Sequence, residues 1–345
     1  MKDAIAIWWD TQETSPIETS IELDINLWIS DERKHYIEFG IRIKKPEKIN
    51  KVNLFLPYKI SKKDVENMVE ELVSPDLANA LFNDNMTVSG GNGKLCTITG
   101  EKVHKDFDYY FYDDDDIDVS YREPDGSIIS LEVSDIGGSE ELYCRIRVNE
   151  VDGILRNFSK NVSFLEGLLK DLVTIEISVN SIRKLPRRVV NHISNNINLK
   201  SINMFLMSDI STEIIFHSHD IKSSRILEDD IWNNYLRLVN NKSRLRCLFP
   251  DKKIYKAVAY QWKAKAEELT EEEKDSGDTV KYMDDYNLFV KFNRVKKAKK
   301  VIILSIITII FLSIVGNLAT KKVEDGINYI VEKYNTTERI ENDTK

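Results

Sequence analysis

Nineteen consecutive uncharged residues, Val301 to Ala319, constrain this chain more than any other stretch, and thirteen of them are Ile, Leu, Val or Phe. Wound as an α-helix at about 1.5 Å per residue, the stretch is roughly 28 Å long, close to the hydrocarbon thickness of a bilayer. A backbone in lipid must satisfy its own hydrogen bonds, which a lone segment does only as a helix. Ser305, Thr308 and Ser313 cost little there, because their hydroxyls can bond back to helix carbonyls. On an insertion scale the apolar side chains together contribute about −4 to −8 kcal/mol. The expectation is a single transmembrane helix at 301–319.

The flanks orient it. Lys291, Arg294, Lys296, Lys297, Lys299 and Lys300 crowd the N-terminal side, whereas the other side starts with Lys321 and Lys322 and then turns mixed. Basic residues stay with the cytoplasm, so the long N-terminal region is expected to be cytoplasmic on a single-pass cell-membrane protein, with the tail 320–345 extracytoplasmic. Arg294, Lys296, Lys297, Lys299 and Lys300 form the expected membrane surface, attracting anionic lipid. The apolar run at Ala4–Trp9 is too short for a signal-peptide core, and no small-residue cleavage site follows, so no secretory signal is expected.

A net charge of −8 argues against general nucleic-acid binding. Cys96, Cys144 and Cys247 are odd in number and widely spaced, which fits a reducing compartment and supplies neither a disulfide framework nor a zinc knuckle. They read as plain core or near-surface thiols.

Upstream of the anchor the apolar period is mostly two. Ile21–Trp28, Tyr36–Ile43, Lys51–Leu56, Ser127–Val133, Glu141–Val148, Val173–Val179, Ser201–Met207 and Glu213–His217 read as strands. Lys94–Ile98 and Ile254–Trp262 are shorter candidates, and Pro124-Asp125-Gly126 reads as a hairpin turn. Helices are expected after Ser61 (with Val65, Met68, Val69 and Leu72 on one face), over Pro75–Leu81, Phe164–Leu172, Pro186–Ile193 and Leu227–Val239. The fold class is α+β: antiparallel sheets with short helices, then the transmembrane helix. Residues 1–150 form one β-rich domain. Residues 151–262 form a second domain or the second half of the same one, and 263–300 a charged linker and basic juxtamembrane segment. A faint echo between Asn53–Leu56 and Asn203–Leu206 raises the possibility of an internal duplication.

Three patterns carry candidate chemistry. Arg145 and Arg147, with Arg183, Lys184, Arg187 and Arg188, could form an anion pocket if the two halves face each other, because the guanidinium fork binds phosphate bidentately. His217 and His219 would share one side of a strand beside Asp220, a partial metal-ligand set that needs a further ligand from elsewhere; the plainer reading is a polar strand end. Asp113 to Asp116 could bind a divalent cation or stand as a solvated acidic loop. Gly90-Gly91-Asn92-Gly93 lacks the Gly-Lys-Ser/Thr of a phosphate loop, and no catalytic motif is present, so neither a catalytic residue nor a cofactor is assigned.

The layout resembles bacterial defence effectors that couple a cytosolic sensing domain to a membrane segment. That resemblance implies a non-enzymatic sensing or binding protein with a cytosolic ligand or partner, acting at the membrane through self-association. Ser305, Ser313 and Gly316 would let anchor helices approach. The alternatives are a membrane-tethered metal-dependent hydrolase or nuclease using His217 and His219, and a passive membrane scaffold. After the anchor, Val323, Ile327, Ile330 and Tyr334 mark one face of a short helix.

Overall fold

The computed structural model describes residues 4–11, 19–29, 35–46, 49–68, 74–82, 84–90, 94–101, 106–123, 125–133, 139–149, 155–156, 170–193, 198–232, 235, 256–267, 281–295 and 298–342. The chain divides into two compact units, residues 1–160 with 172–294, and residues 161–171 with 295–345.

Ahead of the C-terminal helix the elements run β1 (Ala4–Asp10), β2 (Ser20–Ile29), β3 (His35–Lys44), β4 (Lys51–Leu56), β5 (Val65–Asn67), α1 (Pro75–Phe82), β6 (Met86–Ser89), β7 (Leu95–Gly100), β8 (Phe107–Tyr110) and β9 (Ile117–Arg122). They continue with β10 (Gly126–Glu132), β11 (Glu141–Asn149), β12 (Leu155–Arg156), β13 (Lys170–Val179), α2 (Arg187–Ile193), β14 (Leu199–Asp209), β15 (Glu213–His217), β16 (Ser223–Ile226), β17 (Ala257–Lys265) and β18 (Tyr286–Val295). The first sheet has the order β15-β18-β13-β1-β4-β10-β9 with β12 on β13, and the second β16-β17-β14-β2-β3-β11-β8-β7-β6 with β5 on β11.

Alternation explains why the sheets pack. Ile21, Leu23, Ile25, Leu27 and Ile29 of β2 point one way, and with Ile37, Phe39, Ile41 and Ile43 of β3 they meet Ile5, Ile7 and Trp9 of β1 and Val173, Ile175, Ile177 and Val179 of β13 in one buried cluster. That cluster is the filling of a β-sandwich, held by apolar burial at about 25 cal/mol per Å2. On the outer face of the first sheet, Val189 and Ile193 of α2 cover Ala4, Ala6, Trp8 and Phe55. On the outer face of the second sheet, Leu77, Ala78, Ala80 and Phe82 of α1 join Trp28, Tyr36, Trp232 and Tyr235.

The expected β-rich α+β class is present, with one difference: the sheets are mixed. β1 pairs parallel with β13, β2 with β14, and β8 with β11. Neighbours joined by a short turn must run antiparallel, as β2 and β3 do, but strands brought together from opposite ends of the chain are free of that constraint. These parallel joints also place strands from 1–150 and 151–262 in the same two sheets. Of the echoed segments, Asn53 lies on β4 in the first sheet and Asn203 on β14 in the second.

Local readings gave way at several points. The helix expected after Ser61 lasts one 3-10 turn, Lys62–Asp64, where Asp64 accepts the Ser61 backbone N–H at 2.9 Å. Val65–Asn67 then pairs with β11, whose open side takes up backbone groups that a helix would have satisfied internally. Met68 is buried; Val69 and Leu72 lie outside the described residues. β13 begins at Lys170, inside the stretch expected to be helical, whose first part, 164–169, is not described. Pro124, Gly91 to Gly93, Val239 and Cys247 also lie outside the described residues. Within the segment read as linker and juxtamembrane, Tyr286–Val295 forms β18, with Tyr286, Leu288, Val290 and Phe292 in the sandwich core.

The second unit contains α3 (Ala298–Asn342), a 45-residue helix. Its 27-residue segment Ser305–Val331 is long and apolar enough, by length and composition, to cross a membrane. The expected anchor and the expected tail helix are one continuous helix, so Val323, Ile327, Ile330 and Tyr334 continue the same rod.

Candidate functional site

The outer face of the second sheet carries what the inner face does not: charge. On β2 the outward positions are Glu22, Asp24, Asn26 and Trp28; on β3 they include Tyr36, Glu38, Gly40 and Arg42; on β11, Tyr143, Arg145 and Arg147. Register lines them up across strands. Lys263, Asn203, Asp24, Gly40 and Arg145 form one row. Gln261, Phe205, Asn26, Glu38 and Arg147 form the next.

Glu38, Arg145 and Arg147 are all but sealed from solvent, at 0%, 1% and 0% exposure. A buried charge survives only if its lone pairs and protons are used. Here Glu38 Oε1 accepts Arg147 Nε at 2.9 Å and the Tyr235 hydroxyl at 2.8 Å, and both arginines close ion pairs on the same carboxylate. Arg147 also lies 4.2 Å from the Tyr36 ring centroid. Asn26, with its amide oxygen turned to Arg145, accepts from that guanidinium. Burial pushes the Glu38 carboxyl up, but Arg147 and Arg145 beside it prevail and hold it at about 2. Trp28, Trp232 and Tyr235 pack against one another at tilted and edge-on angles beside the group, with Trp28 and Trp232 centroids 5.7 Å apart.

Next to this network opens a cavity of about 400 Å3. One wall is apolar: Leu81 and Phe82 from α1, and Leu227 and Trp232 from the segment that follows β16; Phe205 and Met207 of β14 lie on the sheet face that forms the floor. The floor is polar: Glu22, Asp24, Asn26, Asn203 and Gln261, with Arg42 and Arg145 at its β3–β11 side and Arg225 and Lys263 opposite. Burial raises the Asp24 carboxyl above its ordinary value, against the Asn203 amide, which donates to it at 2.7 Å, and against Arg145 and Arg42. Arg42 is held by Glu141 at 3.8 Å and by the Phe107 ring at 4.3 Å, while Arg225 donates to the Ala80 carbonyl of α1. Gly40 is needed at the centre of the row, because a Cβ there would collide with the Tyr143 hydroxyl. The cavity therefore joins an aromatic and aliphatic wall to a floor of fixed donors and acceptors, the usual make-up of a small-molecule site.

The arginines singled out by sequence separate into two groups. Arg145 and Arg147 belong to the network just described. Arg183 and Arg187 are exposed in the 3-10 turn Ile182–Lys184 and on α2, and Arg188 stands 3.4 Å from Asp125, all on the outer side of the first sheet. The sandwich lies between the two groups, so the five do not build one anion pocket. Lys184 is tied to Glu176 and Ser178, each at 2.6 Å.

His217 Nδ1 donates to the His219 carbonyl at 2.8 Å and His219 Nε2 to the Asn287 carbonyl at 2.6 Å, while Asp220 is exposed. Among the described residues no group of three His, Cys, Asp or Glu side chains is placed to hold a metal ion. The acidic run is met from within the chain: Lys94 Nζ lies 2.7 Å from both Asp113 and Asp116. Of the basic membrane-flanking residues, Arg294 is on β18 and Lys299 and Lys300 are on α3, while Lys296 and Lys297 lie outside the described residues. Cys144 is buried and its thiol is pushed up to about 12; Cys96 rises to about 11 for the same reason, burial.

The pocket floor itself was missed. Glu22, Asp24 and Asn26 carry a signal, since they alternate with Ile21, Leu23 and Ile25 on a strand that has Trp28 on the same face. A polar stripe closed off by tryptophan is a covered face rather than a solvated one. Asn203, Gln261 and Trp232 carry no comparable signal, because only the sheet order brings them beside β2. No protein-family model matches the chain, and no curated protein matches it.

Proposed function

We propose that the chain is a membrane-anchored binding protein whose β-sandwich captures a small polar ligand in the cavity on the outer face of the second sheet. The observation that carries this reading is the cavity itself: about 400 Å3, with Trp232 and Phe82 on one side and Asp24, Asn203, Phe205 and Arg145 on the sheet face. The neighbouring Glu38–Arg145–Arg147 group supports it, because a buried ion-paired network holds that side of the floor in place. The helix at Ser305–Val331 supports anchoring. The basic residues ahead of it favour a cytoplasmic sandwich. We further propose that ligand capture promotes association of anchors, the output of the defence effectors whose layout the chain resembles.

The test is native mass spectrometry of the full chain extracted from membranes in mild detergent. A small molecule released on denaturation from the wild type and missing from Ser223→Trp, which places a bulky ring at the exposed mouth, is the expected result. Equal release from both proteins would remove the cavity from the explanation. Recovery of the full chain in the soluble fraction would remove the anchor.

A further inference from the structure

The outer face of the first sheet is covered only in part. α2 lies over the β1 and β4 portion, on Ala4, Ala6, Trp8 and Phe55. Toward the β15 edge, aromatic side chains stand in solvent instead: Phe289 is 36% exposed and Phe216 51%. Alternation puts them there. Tyr286, Leu288, Val290 and Phe292 of β18 turn into the sandwich, so Asn287, Phe289 and Lys291 turn out. Phe216 of β15 pairs across from Lys291 and meets the Phe289 ring edge-on, with centroids 5.8 Å apart. The turn Ile182–Lys184 stands on the same face, because Lys184 Nζ donates to Glu176 and Ser178 of β13 and, at 3.4 Å, to Asn287 of β18. Its Ile182 is 60% exposed.

Single exposed apolar residues are ordinary, but a group of them rimmed by charge marks a contact surface. The charge here is basic. Arg183 follows Ile182 in the turn, Arg187 opens α2, and Lys291 lies beside both aromatic rings. Of the described acids on this face, Glu176 is held by Lys184 and Asp125 by Arg188, which leaves Glu213 of β15. The onward path of the chain says what covers the face. β18 ends at Val295, α3 begins at Ala298, and the apolar segment starts at Ser305. At about 3.5 Å per extended residue and 1.5 Å per helical one, the end of β18 is tethered within roughly 20 Å of hydrocarbon, whatever its direction. A bilayer surface is thus always in reach. The same mixture of Phe and Ile with Lys and Arg holds peripheral helices at the headgroup boundary, and each basic residue near anionic lipid contributes about 1 kcal/mol. We propose that this face docks on the anionic surface of the membrane that holds α3, with Ile182, Phe216 and Phe289 among the headgroups and Arg183, Arg187 and Lys291 on lipid phosphates. The proposal rests on the reading of α3 as an anchor.

The experiment uses the full chain reconstituted in vesicles, carrying Cys247→Ser so that the remaining cysteines, Cys96 and Cys144, are buried. A polarity-sensitive fluorophore is attached at Ile182→Cys or, as a control, at Thr87→Cys, exposed on β6 at an edge of the other sheet. In phosphatidylcholine vesicles containing phosphatidylglycerol, the probe at position 182 should emit further to the blue than the control. Headgroup-spin-labelled lipid should quench it about twofold more strongly or better, and about 0.5 M salt should reverse both effects. Arg187→Glu combined with Lys291→Glu should do the same without salt, and Phe216→Ser should weaken the quenching. Equal quenching at the two positions, quenching untouched by these substitutions, or a blue shift of the same size in pure phosphatidylcholine would overturn the proposal. So would that shift in uncharged detergent, the result expected if a second copy of the chain covers the face. If the chain floats with the vesicles while position 182 stays in water, the docking face fails and the anchor stands. If the chain does not float with them, both fail.

Discussion

Glu38 and Arg147 face each other as direct cross-strand partners on β3 and β11, and neither side chain reaches solvent. Arg145, two residues along β11, closes on the same carboxylate from the other side. A lone carboxylate thus compensates two guanidiniums, with Tyr235 supplying a further donor. The energetic consequence is asymmetric: the group adds little over a well-packed apolar cluster, but removing its centre strands two buried cations.

Glu38→Gln is therefore expected to destabilise the sandwich by about 3–5 kcal/mol. Urea denaturation at neutral pH, followed by tryptophan fluorescence, measures this directly. A loss under 1 kcal/mol would mean that the arginines find water or another acceptor.

The same carboxylate sets an acid limit. Its folded value, about 2, lies below its ordinary 4.5, so the stabilisation is complete above pH 4.5 and disappears as pH falls toward 2. A shift of that size corresponds to about 3 kcal/mol. Wild-type stability measured across that range should fall more steeply than that of Glu38→Gln, and parallel curves would refute the assignment.

Tyr235→Phe removes one hydroxyl and nothing else. It should cost about 1–3 kcal/mol, as expected for a buried bond to a charged acceptor. Because Trp232 and Tyr235, from the segment after β16, both pack on Trp28, the native tryptophan emission should also shift toward the red. An unchanged spectrum would uncouple that segment from the network.

Gly40→Ala brings a methyl group against the Tyr143 hydroxyl, and overpacking of this kind costs about 1–3 kcal/mol. The cost should shrink in a Tyr143→Phe background, where the colliding oxygen is gone. A double-mutant cycle with no coupling would show that the row relaxes by some other movement.

Ile310→Arg places a charge near the middle of the apolar stretch. An insertion penalty of about 3 kcal/mol is expected, with part of the protein shifting out of the carbonate-resistant membrane fraction. Full retention in that fraction would locate the membrane contact elsewhere.

Legibility along the chain tracked how local the physics was. Ile21–Ile29 alternates cleanly because one face meets the core, and its strand is where the pattern puts it. Ala4–Asp10 does not alternate, since β1 lies in the middle of its sheet with both faces covered, so its apolar run carries no period-two signature of a strand. Tyr286–Val295 alternates as clearly as any strand, but its basic residues drew attention to the membrane instead. At Ser61 the start signal was real and the helix still failed, because pairing with β11 outweighed a marginal helical preference. The arginines show the same divide: composition marked Arg145, Arg147, Arg183, Arg187 and Arg188 alike, and only the sheet order put two of them in a sealed network and three beyond the opposite sheet.

Period-two patterning was enough for strand content and the α+β class, and an uninterrupted apolar run for a helix able to cross a membrane, since each depends on neighbours a few residues apart. The mixed sheets, the pairing of β2 with β14 and the cavity that results were decided only in three dimensions. Asp24 and Asn203 are 179 residues apart in the chain and in hydrogen-bond contact in the fold. No local preference encodes such a contact, which forms only when β14 pairs with β2 inside one sheet.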